Sequence, residues 1–274
     1  MSKYYTGKRT RNLFDPKSKE PFRLSRSKID LFISCPRCFY QDRRLGVGQP
    51  PGFPFNLNSA VDALLKKEFD DYRAKQKPHP LMTTNKIDAV LFQHEKLDEW
   101  RDSLRRGVTF HHKPTNFTVT GGIDDVWVKP NGELIIADYK ATSKKDEVSI
   151  DADWQDGYKR QMEMYQWLFR QNGFKVSSTG YFVYCNGKTD LPLEPYWGSN
   201  TLKTRASAGG LSPEASFNFH LDFDISVIPY KGNSDWVEPT LLNARKCLDS
   251  NKIPKANPDC DFCRYVEAVN EISK

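Results

Sequence analysis

The sequence predicts a single α+β domain with a cysteine-bearing appendage, and three observations carry that expectation. A β-hairpin is written into Gly121–Lys145, amphipathic helical patterns flank it, and two Cys-x-x-Cys pairs sit near opposite ends of the chain. At 274 residues, with 38% hydrophobic and 13% aromatic content, the chain can bury one substantial core. No internal repeat or compositional shift marks a domain boundary. Lys and Arg number 41 against 35 Asp and Glu, so 41 − 35 = +6, a mild excess that suits a polyanionic partner.

In chain order, the first 22 residues are basic and unpatterned, which predicts a flexible arm and leaves 23–274 as one domain. Ser25 and Ser27 offer N-caps to a short helix through Ile29, Leu31, Phe32 and Ile33, which Pro36 stops. After the Gly/Pro-rich loop from Gly46 to Phe55, the stretch NLNSAVDALLKKEFDDYRAKQ reads as an amphipathic helix. Val61, Leu64, Leu65 and Phe69 are its expected inner face, and Lys77 to Pro80 ends it. A helical pattern around His94–Leu104 gives way to β-like sequence from Val108. Beyond the hairpin, a helix from Trp154 to Asn172 is closed by Gly173. Strands follow at Ser178–Tyr184 and Phe217–Ile228, then a helix at Trp236–Leu248 and the cysteine-bearing tail.

The hairpin carries the chemistry. Lys129-Pro130-Asn131-Gly132 is a strong turn former between strands rich in Val, Trp, Ile and Leu. Counting outward from it sets Asp124 opposite Ala137 or Tyr139, within one residue of Asp138. Strand alternation points Asp138 and Lys140 one way and Tyr139 the other. Two acids packed together in apolar surroundings cost free energy unless a cation neutralises them, and magnesium suits carboxylate and carbonyl oxygens. Metal-held water can attack a phosphodiester, with Lys140 placed to activate it or to stabilise charge on the phosphate. A surface hairpin with a Lys140–Asp138 ion pair would carry the same Asp-x-Lys triplet; the upstream Gly-Ile-Asp favours the functional reading.

Cys35-Pro-Arg-Cys38 and Cys260-Asp-Phe-Cys263 together indicate a four-thiolate site that joins the two ends of the domain. On spacing alone, such knuckles suit tetrahedral zinc. Cys185 and Cys247 read as plain buried thiols, and His79, His94, His111, His112 and His220 lack ligand spacing. No run of about 18 apolar residues occurs and the N-terminus lacks the apolar core of a signal peptide, so a cytoplasmic protein is expected. Arg37, Arg43 and Arg44 around Phe39 and Tyr40, and Lys144 with Lys145, are candidate phosphate contacts. There is no Walker-type phosphate loop for an ATP-driven motor.

The segment GGIDDVWV…GELIIADYK resembles the core of the PD-(D/E)XK nuclease superfamily, in particular its RecB-like branch. The likeness extends to Gln161-x-x-x-Tyr165 in the helix after the hairpin, to SCPRCFYQDR near the start, and to the C-terminal cysteines. It implies a restriction-endonuclease-like core, a mixed central sheet flanked by helices. It further implies that Asp124, Asp138 and the Tyr139 carbonyl bind Mg2+ or Mn2+, that Lys140 is catalytic, and that Gln161 and Tyr165 support the site or position DNA. The early helix departs from the family's Gly-x-x-x-His pattern: Asn58-Ser59-Ala60-Val61-Asp62 sets Asp62 where a metal-binding His is usual, with Glu68 as the alternative ligand.

Relatives with such cysteines hold a four-iron four-sulfur cluster, normally through one N-terminal and three C-terminal thiolates; this chain offers two and two. The expected partner is DNA, as single strands or ends, together with a helicase or repair complex, and no membrane. The resulting expectation is a metal-dependent DNA exonuclease in repair or recombination. Beside it stand a non-catalytic nucleic-acid-binding or scaffold subunit of the same fold, and a restriction-type endonuclease.

Overall fold

A computed structural model of the chain describes residues 7–52, 56–189 and 221–273. Two sheets share one helix between them. The larger has five strands in the order β2 (Val90–Leu91), β5 (Asp125–Val128), β6 (Leu134–Thr142), β7 (Thr179–Gly187) and β8 (Phe223–Lys231). Its β6–β7 pair is parallel and the other pairs are antiparallel, which makes it the mixed sheet the resemblance implies. The smaller sheet orders β1 (Phe22–Ser25), β4 (Phe117–Gly121) and β3 (Val108–His112).

The hairpin forms because Gly132 takes φ +78°, a left-handed conformation that glycine tolerates, and Lys129 and Glu133 close the turn with a 2.9 Å backbone hydrogen bond. Alternation along β6 then divides the core. Leu134 and Ile136 pack with α6 (Asp156–Gln171), whereas Ile135, Ala137 and Tyr139 pack with Val61, Leu65 and Phe69 of α3 (Asn56–Lys75). Because α6 lies against β3 and β4 as well as β6, it is covered on both sides. Every residue from Met162 to Phe169 is buried.

The remaining α-helices among the described residues are α1 (Arg26–Ser34), α2 (Pro36–Tyr40), α4 (Pro80–Thr84), α5 (Leu97–Arg101), α7 (Val237–Asp249) and α8 (Asp261–Ile272). A π-helical turn, Gln41–Leu45, continues α2. No helix among the described residues is long and apolar enough to cross a membrane.

Several expectations need correction. Of the first 22 residues, expected to be a flexible arm, those from 7 to 21 lie against the body: Phe14 is buried beside Phe117, and Arg9 pairs with buried Asp42 at 2.9 Å. Leu64, assigned to the inner face of α3, is 67% exposed, because the buried stripe runs through Val61, Leu65 and Phe69. The cysteine tail contains a full helix, α8. Phe39 and Tyr40 are buried, Arg43 is buried against Asp42, and Arg37 pairs with Glu267, so this group does not form an open stacking surface. The first residues of the expected strand, 217–220, and His220 with them, lie outside the described residues.

Candidate active site

The last register pair of the hairpin is Asp125 with Ala137, yet β6 runs on to Thr142, held on its other edge by β7. Where β5 stops, a side chain takes its place: Asp124 Oδ2 accepts the Tyr139 N–H at 2.9 Å. Asp124 thereby faces Asp138 across the gap. Since the N–H and C=O of one strand residue point to the same edge, the Tyr139 carbonyl faces this gap too.

Asp138 is wholly buried. Its Oδ1 accepts Gln161 Nε2 at 2.8 Å, and its Oδ2 is ion-paired with Lys140. Burial, with the charge of Asp124 behind it, pushes the Asp138 carboxyl up to about 6 even though the Lys140 ammonium pulls the other way. Gln161 also donates to the Tyr165 hydroxyl at 3.0 Å, and burial raises that phenol. The Tyr165 ring packs so close to Gly121 that a Cβ there would meet it at 2.7 Å, a close approach that explains one glycine of the Gly-Gly-Ile-Asp stretch. The Lys140 ammonium lies 4.6 Å from the centre of the Tyr158 ring, a cation–π contact that steadies it.

These groups open on a cleft of about 290 Å³ lined by Asn58, Asp62, Asp124, Tyr139, Lys140 and Tyr158. A larger groove, about 530 Å³ around Ile87, Val128 and Pro130, has no paired carboxylates. Of the two candidate replacements for histidine, Asp62 lines the cleft, whereas Glu68 is turned to His79 at 3.0 Å. Lys66 bridges Asp62 and Asp124, its ammonium 2.8 Å from the first and 3.4 Å from the second. Burial pulls the Lys66 ammonium down, but the two carboxylates outweigh it and raise it.

A second set of residues, absent from the sequence reading, holds Asp124 in place. Asp125, at zero exposure, is ion-paired with Arg73, accepts the Tyr139 hydroxyl at 2.6 Å, and lies 3.4 Å from Arg101. Arg101 donates through Nε to the Asp124 carbonyl at 3.0 Å and through Nη1 to Asp70 at 2.8 Å. The adjacent aspartates of Gly-Ile-Asp-Asp thus divide the work, one toward the cleft and one into a buried cationic clamp. Arg26, which opens α1, adds positive field at Asp138 and Tyr165. The only sequence signal for the clamp is the doubled aspartate, because Arg73 and Arg101 reach it from distant elements.

The donor set of the cleft is oxygen throughout, two carboxylates with a carbonyl beside them, which fits a hard divalent cation such as magnesium or manganese. The second cluster lies where α2 meets α8. Cys35, Cys38, Cys260 and Cys263 place all four sulfurs within 4.8 Å of one another, a group that can hold a metal ion. Burial works against ionising Cys35, but the backbone N–H groups of Asn257 and Cys38 outweigh it and bring the thiol down to about 7. Cys185 is buried and Cys247 half-buried, and burial pushes both thiols up to about 11.

No curated protein matches the chain significantly. A family model does match, over residues 23–268, which takes in the hairpin, the cleft and all four clustered cysteines. With that match covering most of its length, the chain belongs to the PD-(D/E)XK nuclease superfamily.

Proposed function

We propose that the protein is a RecB-like deoxyribonuclease that uses Mg2+ or Mn2+, acting as an exonuclease on single strands or ends during DNA repair or recombination. The observation that carries this reading is the convergence of Asp124, Asp138 and Lys140 at the open end of β6. Asp124, Asp138 and the Tyr139 carbonyl are the groups that would hold the cation, which when bound supplies Lewis acidity and an activated water. Lys140 carries positive charge to the scissile phosphate. Gln161 fixes the Asp138 carboxylate, and Tyr165 fixes Gln161.

Next to the cleft, Trp154 is 62% exposed and stands edge-on to Tyr158 at 5.6 Å, with the Lys144 ammonium 5.3 Å from its ring centre. An exposed indole beside a cation suits an unpaired base and its phosphate, which supports single-stranded DNA as substrate. A helicase or repair complex is the corresponding partner. Six free cysteines fit a reducing compartment, and the cytoplasm is the expected one. One observation favours a non-catalytic DNA-binding subunit instead: Lys66 bridges Asp62 and Asp124 and offsets part of their charge, and Asp62 stands where the family resemblance sets a histidine.

Cleavage of end-labelled single- and double-stranded DNA with magnesium or manganese separates the readings, comparing the parent chain with Asp138→Ala and Lys140→Ala. The expected result is a product ladder from one end with the parent chain. Lys140→Ala should lose about 10²–10⁴-fold in rate while circular dichroism is unchanged. DNA binding without cutting in all three proteins would transfer the conclusion to the binding subunit.

A further inference from the structure

We propose that the four-thiolate site takes a single tetrahedral zinc ion rather than the four-iron four-sulfur cluster that the resemblance implies. The argument is independent of the nuclease reading. Cys35 Sγ lies 3.8 Å from Cys263 Sγ, and Cys38 Sγ lies 3.6 Å from Cys263 Sγ and 3.5 Å from Cys260 Sγ. With Zn–S bonds of about 2.3 Å, a tetrahedral ion sets its sulfurs about 3.8 Å apart. The observed edges therefore correspond to ligands sharing one ion.

A cubane makes a different demand. Each cysteine binds a separate iron, and the four thiolates surround a body of eight atoms from its outer corners. No pair of sulfurs here exceeds 4.8 Å, and a regular tetrahedron with that edge puts its corners only about 2.9 Å from the centre. That space admits one metal ion and no inorganic sulfide.

The local fold points the same way. Cys35 immediately precedes α2 and Cys38 is its third residue; Cys260 precedes α8 and Cys263 is its third residue. In each, the carbonyl of the first cysteine accepts the N–H four residues on at 3.0 Å, Phe39 in one and Arg264 in the other. The site is thus two copies of one turn, each aiming a pair of thiols at a common point, and it explains the two-and-two division of the cysteines. Cys35, Cys38 and Cys263 are buried, so the ion would sit largely out of solvent. Zinc has no redox chemistry and no geometric preference of its own, so it accepts the tetrahedron the turns present.

The test is elemental analysis, acid-labile sulfide assay and visible spectroscopy on the full chain, produced with iron and zinc both supplied and purified without air. The proposal expects about one zinc per chain, no sulfide and no visible absorption. Cobalt exchanged into the same protein should show the d–d bands of a tetrahedral site and the charge-transfer intensity of four thiolates. Cys38→Ser with Cys263→Ser should abolish zinc retention, whereas Cys247→Ser, outside the cluster, should keep it. Should the double variant fail to fold, the cobalt spectrum of the parent chain still counts the thiolates. Iron, with or without sulfide, a parent chain that retains no metal, or a cobalt spectrum without thiolate charge transfer would each overturn the proposal.

Discussion

The carboxylate cleft and the four-cysteine cluster are both gatherings of acidic groups, yet they balance their charge in opposite ways. In the cleft, Lys140, Lys66 and the Gln161 amide already contact Asp138, Asp124 and Asp62. At the cluster, the sulfurs face chiefly one another. A site furnished with its own cations can gain and lose a metal ion without losing its shape. A site of converging thiols depends on the ion for its shape. On the proposed function, the first arrangement would serve turnover and the second folding.

Chelation should give the largest effect and is the most direct way to break this comparison. Removal of divalent cations by a weak chelator should stop cleavage and leave the melting temperature nearly unchanged. Stripping the thiolate site should unfold the region joining α2 and α8, since structural zinc sites contribute about 10–16 kcal/mol in isolated peptides. Equal loss of stability in both treatments, followed by calorimetry, would erase the distinction.

Asp125→Ala comes next. It removes the buried one of the two carboxylates that Arg73 and Arg101 share, leaving the partly exposed Asp70, and should lower stability by about 3–5 kcal/mol in denaturant titrations. Asp124→Ala, at the partly open cleft, should cost far less stability and far more activity. A reversal of that pattern would show that the two adjacent aspartates had been assigned the wrong way round.

Trp154→Ala sharpens the account of the cleft mouth. Binding of a single-stranded oligonucleotide to the Lys140→Ala protein should weaken by about 1–3 kcal/mol, with duplex binding less affected. Equal weakening of both would remove stacking from the argument. The smallest effect is expected of Lys66→Met, which frees Asp62 and Asp124 from their shared ammonium. Manganese affinity, measured by titration calorimetry, should rise by about 1 kcal/mol, or roughly fivefold, the upper end for a partly exposed ion pair. A fall in affinity would make Lys66 a supporting residue rather than a competitor.

What the sequence disclosed follows from what is local. The hairpin is legible because Asn131-Gly132 sets the turn, and period-2 alternation then commits Asp138 and Lys140 to one face and Tyr139 to the other. The cysteine pairs are legible from spacing, and α6 from its flanking Gly173. Residues joined only by tertiary structure gave no comparable signal. Strand β1 is four residues long and finds its parallel partner β4 more than ninety positions later, with Phe22 beside Phe117. Arg73 and Arg101 look like ordinary helical cations until folding brings them to Asp125. Helix α8 does leave a local mark, with Phe262, Tyr265, Val266 and Val269 at helical spacing, though these side chains stay partly exposed and so lack the buried stripe of a core helix.

The meeting of α2 and α8 also bears on the order of assembly. Cys38 and Cys260 lie 222 positions apart, so bringing their sulfurs together closes a ring around nearly the whole domain. In the open chain that closure alone costs on the order of 5 kcal/mol of entropy. The cost largely disappears once the two sheets have formed and α1 already packs on α7, because the ends then arrive side by side. Synthesis from the N-terminus also makes Cys260 and Cys263 after both sheets have been completed. Closure of the cysteine site is therefore expected late in folding, as a latch set on a domain whose sheets have formed rather than a nucleus around which they form.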